Sequence, residues 1–207
     1  MLSTILLRWR LQKASVKGWF FKLLYGGKRV QIGKNFQCDT FPDVMLTQNG
    51  TVQIGDNVLF RRNVELRAHN DGHVHIASNV RIDRGVRILA ANKAEITIET
   101  GARIGLYTVL NGGDSITIGE KCLISGYVYL QTSMHRYKGE GSIQEQGYDH
   151  APVILEEDVW LGAHAVVLPG VTLGRGSIVG SNAVVNKSSE NGDVLGGVPA
   201  KILKSRS

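Results

Sequence analysis

The stretch Leu155-Glu156-Glu157-Asp158-Val159-Trp160-Leu161-Gly162-Ala163-His164-Ala165-Val166-Val167-Leu168-Pro169-Gly170-Val171-Thr172-Leu173 places an aliphatic residue at every sixth position. The beat runs on through Val179 to Val185. The residue four places after each is small or β-branched: Val159, Ala165, Val171, Ser177, Ala183 and Ser189. A helix repeats every ~3.6 residues and a strand every ~2, so neither yields this period. A three-sided prism does. Each flat face takes one hexad and turns one aliphatic residue inward, and coils stack so that inward residues pack on their counterparts. The pattern predicts a parallel β-helix.

Working outward, the beat recurs upstream at Ile32, Ile54, Ile76 and Ile98, twenty-two residues apart. Three hexads fill eighteen of these, so four extra residues are expected at one corner of each coil. Turn-forming groups mark that corner: Asn49-Gly50, Asn70-Asp71-Gly72, Ala91-Asn92-Lys93 and Gly112-Gly113-Asp114. Ile104-Gly105 and Ile118-Gly119 carry the beat onward. The regular array spans roughly residues 30 to 198. Residues 131–151 interrupt it with a polar, Gly-containing loop between two well-formed coils, and a loop of that length in an ordered array suggests function.

Composition agrees with one domain of 207 residues with a substantial core. The 25 glycines suit tight corners. Cys38 and Cys122 fall on inward positions, which argues for reduced, core-filling thiols in a cytoplasmic protein. The first apolar run is broken by Arg8, Arg10 and Lys13, unlike a signal peptide, and no stretch is apolar for long enough to span a bilayer.

The net charge of +6 is unevenly placed. Residues 1–38 hold eight Lys/Arg and no acidic residue, leaving sixteen basic against eighteen acidic residues elsewhere. Residues 1–29 therefore read as a basic amphipathic arm, with Leu6, Leu7, Trp9, Leu11, Trp19, Phe20, Phe21, Leu23 and Leu24 as its apolar part. Two roles suit it. The arm either packs on the open end of the first coil, or residues 1–25 lie along an anionic membrane surface. No nucleic-acid motif accompanies the charge.

His135 stands in the loop Gln131-Thr132-Ser133-Met134-His135-Arg136-Tyr137. A loop histidine can accept a hydroxyl proton; alone, it is more often an idle surface residue. His69, His73 and His75 are expected at a corner insertion and do not make a metal site. No Ser or Cys has the setting of an activated nucleophile, so direct transfer is favoured over a covalent intermediate.

Residues 153–163 (Val-Ile-Leu-Glu-Glu-Asp-Val-Trp-Leu-Gly-Ala), followed by Val167-Leu168-Pro169-Gly170-Val171 and the tail Gly196-Gly197-Val198-Pro199-Ala200-Lys201, resemble the hexapeptide-repeat acetyltransferases. The resemblance covers most of the chain and is sharpest from His135 to Lys204. It implies an all-β fold, a left-handed parallel β-helix over residues 30–207 with a short N-terminal helical arm and a protruding loop. It also implies a homotrimer with active sites between subunits. In that family a loop histidine is the general base, and His135 matches it. The setting with Ile143-Gln144-Glu145-Gln146-Gly147 is most similar to O-acetyltransferases of bacterial surface polysaccharides.

The same resemblance implies acetyl-CoA as co-substrate and no metal. Backbone near Gly162 and Ala163 would hold the thioester or pantetheine arm, with Trp160 along the wall or simply packing a corner. Ser181 and Asn186 match cofactor positions at which the family more often has Ala and Thr. Lys187, Lys201 and Lys204 match phosphate-contacting positions, and Asn111 and Tyr137 are placed toward the acceptor. His164 reads as a surface residue beside the cofactor wall. The expected reaction is acetyl transfer to a sugar hydroxyl in capsule, exopolysaccharide or O-antigen synthesis. The acceptor is a sugar or oligosaccharide, lipid-linked at the cytoplasmic leaflet if the arm is peripheral to the membrane. Acetylation of a small soluble acceptor, antibiotic or amino sugar, and a non-catalytic scaffold, stay open as alternatives.

Overall fold

The computed structural model describes residues 2–206, with side chains for all of these but residues 2–8, 10 and 11. Leu6, Leu7, Arg8, Arg10 and Leu11 of the amphipathic reading lie outside the described side chains.

Three sheets form the faces of a prism. Sheet A has seven strands, from Val30–Ile32 to Thr172–Leu173, and sheet C has seven, from Asp43–Leu46 to Val184–Val185. Sheet B has nine, from Gln37–Cys38 to Lys201–Ser205. The chain visits A, B and C in turn and returns to A one coil further on, giving seven coils of parallel strands. Register runs inward residue to inward residue: Ile32, Ile54, Ile76, Ile98, Ile118, Leu155 and Leu173 form one column on sheet A. These columns are the core. Of the twelve inward positions expected between Leu155 and Ser189, all are buried except Ser189, which is half-buried.

The four extra residues of each early coil lie mainly in strands, a correction to the corner insertion expected. Thr51–Ile54 and Glu65–Ala68 each have four residues, where Thr172–Leu173 and Val184–Val185 have two. The reason is the period of a strand. Adding two residues preserves the in-out alternation, so each lengthened strand gains an inward side chain: Val52 and Ala68 are both fully buried. His73 and His75 likewise lie on a strand of sheet A, pointing outward, and not at a corner. His73 Nδ1 meets Thr51 Oγ1 at 2.7 Å and His75 Nδ1 meets Gln53 Oε1 at 3.3 Å. Among the described residues, no cluster of His, Cys, Asp and Glu is placed to hold a metal ion.

Helix α1 (Leu2–Tyr25) lies over the first coil. Ala14, Gly18 and Phe21, spaced as one helical face, are buried. Phe21 packs its ring 5.7 Å from those of both Phe36 and Phe41. Gly18 permits the approach: a Cβ there would stand 1.9 Å from the Phe36 carbonyl oxygen. The arm therefore caps the β-helix. The cap leaves Trp9, Trp19, Phe20, Leu23 and Leu24 exposed. No helix among the described residues is long and apolar enough to cross a membrane. At the other end Lys201–Ser205 folds back antiparallel on Asp193–Gly196.

The interruption at 131–151 is more ordered than a loop. Ser133–His135 pairs antiparallel with Tyr148–His150, and a 3-10 turn at Ile143–Glu145 lies between them. Thr132, fully buried, anchors the departure point: its Oγ accepts the Gly113 and Asp114 N–H groups at 2.9 and 3.0 Å.

Candidate active site on the projecting hairpin

Cross-strand pairing places His135 opposite Tyr148 and Ser133 opposite His150. Directly opposite residues share a face, as do residues two apart on one strand, so Ser133, His135, Tyr148 and His150 all project from one side. The His135 and Tyr148 rings are 4.1 Å apart between centroids, and those of Tyr148 and His150 are 6.0 Å apart. Ser133 Oγ lies 2.9 Å from His150 Nδ1. The other side carries Met134 and an ion pair, Arg136 Nε donating to Asp149 Oδ1 at 2.6 Å. His135 is exposed, as a base that must meet a substrate requires. Tyr137 lies just beyond the strand, exposed. His150 is a functional candidate that sequence reasoning missed; an alternating pattern in Tyr148-Asp149-His150 was the available signal.

Near the hairpin's base, Asn111 lies on sheet C beside Gln131, and its Nδ2 donates to the Tyr129 hydroxyl at 3.0 Å. Gln131 Nε2 donates in turn to the Ser133 carbonyl. Asn111 is thus joined to the strand that leads into the hairpin.

The positions expected to hold a cofactor lie elsewhere. Trp160 projects from sheet B, half exposed, its Nε1 3.4 Å from Ser125 Oγ. Gly162 and Ala163 form the following corner, between sheets B and C. Gly162 is buried, and its N–H donates to the Val179 carbonyl at 2.8 Å, so it has no hydrogen to offer a ligand. Of the pair, only the Ala163 N–H is left without a bond among the described residues. Ser181 sits on the same corner one coil on, the Asn182 N–H after it bonding the Ala163 carbonyl at 2.9 Å. Asn186 and Lys187 lie beyond the far end of sheet C, and Lys201 and Lys204 are exposed on the last strand of sheet B. The structure therefore brings Trp160, Ala163 and Ser181 to one edge. It does not bring His135 there within one protomer, because the hairpin leaves from the opposite end of sheet C.

Both thiols lie in the core, as their place in the repeat predicted. Burial pushes Cys38 and Cys122 up to about 11. The Cys122 Sγ donates to the Glu156 carbonyl at 3.0 Å, which leaves it no role as a nucleophile.

The family model described as bacterial transferase hexapeptide (six repeats) matches residues 152–187. Residues 152–187 carry the hexapeptide repeat that this model describes. A putative lipopolysaccharide biosynthesis O-acetyl transferase, WbbJ of Escherichia coli, is 34% identical over 99 residues, covering 44% of this chain and 50% of that one. The chain spans half or less of the length of the curated relatives it matches. Among solved structures, the polySia specific acetyltransferase NeuO superposes with a TM-score of 0.72 at 24% identity, covering 86% of this chain and 76% of that one. AntD, an N-acyltransferase from Bacillus cereus solved with dTDP and coenzyme A, gives 0.62 at 24% identity, covering 90% and 88%. These two likenesses are of fold. The hexapeptide β-helix expected from the 155–173 stretch is the one found.

Proposed function

We propose that this hexapeptide-repeat protein transfers an acetyl group from acetyl-CoA to a hydroxyl of a sugar, in the synthesis of a bacterial surface glycan. The observation that carries the reading is the hairpin, which presents His135 in the open on a face shared with Ser133, Tyr148 and His150. The similarity to WbbJ supports a glycan acceptor.

In this reading His135 removes the acceptor hydroxyl proton as the oxygen attacks the thioester carbonyl. The carbon–oxygen bond forms, the carbon–sulfur bond breaks, and the departing CoA thiolate takes the proton back from the imidazolium. Charge that develops on the carbonyl oxygen requires a donor already in place, and the unbonded Ala163 N–H is suited to it. Trp160 and Ser181 flank the pantetheine path, with Lys201 and Lys204 toward the phosphates and Lys187, at the far end of sheet C, joining them from the neighbouring copy. Because sheet C separates His135 from Ala163 in one protomer, the hairpin of one copy completes the corner of its neighbour. The active form is a homotrimer.

An amino sugar is the second reading, favoured by the fold likeness to AntD; the same base serves an amine. The exposed apolar residues of α1 beside Lys13 and Lys17 support a peripheral place at the cytoplasmic leaflet and a lipid-linked acceptor. Calorimetric titration with acetyl-CoA, alongside a mass of the oligomer, tests the core of the proposal. About one site per subunit of a trimer is expected. A folded protein that ignores acetyl-CoA at concentrations on the order of 1 mM refutes it.

A further inference from the structure

The corner that carries Ala163 and Ser181 extends the length of the prism, and its other end has a different chemistry. Backbone bonds join it coil to coil. The Gly85 N–H bonds Arg62 O, Tyr107 N–H bonds Arg84 O, Tyr127 N–H bonds Leu106 O, and His164 N–H bonds Gly126 O, at 2.8–3.1 Å. One column therefore reads Arg62, Arg84, Leu106, Gly126, Ala163, Ser181. Next to it runs a second column, Asn63, Gly85, Tyr107, Tyr127, His164, Asn182, every member with φ between 53° and 68°.

Asn and Gly accept that left-handed backbone, whereas a tyrosine there is an outlier with a conformational cost. Tyr107 and Tyr127 must therefore be explained by something other than the turn. Their rings stack, 5.4 Å apart, and Tyr127 stacks on His164 at 4.9 Å with 2° between planes. The far face of Tyr107 lies on Gly85, where a Cβ would come 2.3 Å from the ring. Faces are thus covered, and what the solvent meets is a row of ring edges. Neither phenol hydroxyl is hydrogen-bonded among the described residues, and both tyrosines are about half exposed.

Beyond the rings the corner becomes cationic. A groove of about 490 Å³ is lined by Asp39, Arg61, Arg62, Asp83, Arg84 and Leu106. Arg61 pairs with Asp39 at 3.6 Å, but Arg62 and Arg84 are exposed and make no ion pair among the described residues. A second groove shares Arg61 and Asp83 and adds Arg81 and Arg103, also unpaired among those residues.

We propose that this corner is an acceptor track for an extended anionic glycan, its carboxylate or phosphate groups on Arg62 and Arg84 and its hydroxyls on the edges of Tyr107 and Tyr127. The inference rests on the acyl-transfer reading, since the track ends at Ala163, beside the proposed thioester. From Arg62 on the second coil to Ala163 on the sixth it is about 19 Å long, at the spacing of adjacent strands. That length suits several linked sugars better than one. Covered ring faces disfavour a nucleic acid, which binds by stacking bases on open ones. Two hydroxyl-bearing edges, on rings 5.4 Å apart, suit a polyol chain.

Binding to the full-length protein should be measured with oligogalacturonate of graded length, with neutral dextran oligomers, and with single-stranded DNA of equal charge. Oligogalacturonate affinity is expected to rise with length and to weaken as salt is added. Arg62→Ala with Arg84→Ala should weaken it about 10-fold or more and flatten the salt dependence. Tyr107→Phe with Tyr127→Phe keeps the stack, should weaken it about 3–10-fold and should leave the salt dependence alone. Equal binding of dextran or DNA, or indifference to both double variants, overturns the proposal. So does a change of oligomer mass in the arginine variant, which would assign those residues to contacts between copies. Acetyl-CoA titration of the same samples separates the two ideas: lost donor binding in the wild type counts against acyl transfer, whatever the glycan does.

Discussion

Ser133 Oγ and His150 Nδ1 lie 2.9 Å apart on the hairpin face that also presents His135. The hairpin therefore holds two imidazoles, one exposed without a hydrogen-bond partner among the described residues and one tied to a hydroxyl. His135→Ala is expected to lower turnover on the order of 100-fold or more with acetyl-CoA affinity nearly unchanged. His150→Ala should cost about 10-fold or less, by loosening the face. If single-turnover rates show the reverse order, His150 is the base.

Ala163 is half-buried, and its own N–H is free of hydrogen bonds among the described residues. Replacing it with Trp should fill the donor path and abolish acetyl-CoA binding while the melting temperature stays close to wild type. A calorimetric isotherm indistinguishable from wild type would move the donor path to another edge.

Burial holds the two cysteine thiols neutral up to about pH 11, whereas in the unfolded chain they ionise near their ordinary value of 9.0. Above the lower value the unfolded state binds fewer protons, so stability falls as pH rises. The contribution is intact below pH 9 and is lost between about pH 9 and 11. Urea melts at pH 8 and pH 10.5 should show the decline, and Cys38→Ala with Cys122→Ala should show a shallower one. Identical slopes would assign the decline to lysines and tyrosines.

Phe21 is fully buried between α1 and the rings of Phe36 and Phe41. Phe21→Ala should cost about 3–5 kcal/mol of unfolding free energy. Trp19→Gln with Leu23→Gln changes only the exposed side, so stability should stay within about 0.5 kcal/mol. That second variant isolates the membrane role: sedimentation with anionic vesicles should fall, and equal sedimentation would leave the helix a cap alone.

The six-residue beat was legible because packing enforces it where the coils are regular: each hexad turns an aliphatic residue inward, and Leu155, Leu161 and Val167 are accordingly at zero exposure. The extra residues of the early coils were located less well. Val52 and Ala68 continue a period of two, which looks the same whether the chain is lengthening a strand or approaching a turn. His135 was singled out by resemblance, but His150 was not, since its partner Ser133 is seventeen residues away across a turn with no periodic signal. The stacked rings were hidden for another reason. Tyr107 and Tyr127 are twenty residues apart and His164 is thirty-seven further, so they align only when the hairpin is removed from the count.

A stack of parallel coils has a raw edge at each end, with unpaired peptide groups that would accept another copy's strands. Helix α1 covers that edge over Gln37–Cys38, and a helix offers neighbours no ladder to join. The same packing that buries Phe21 thus closes the sheet B edge of the first coil to a strand from a second copy.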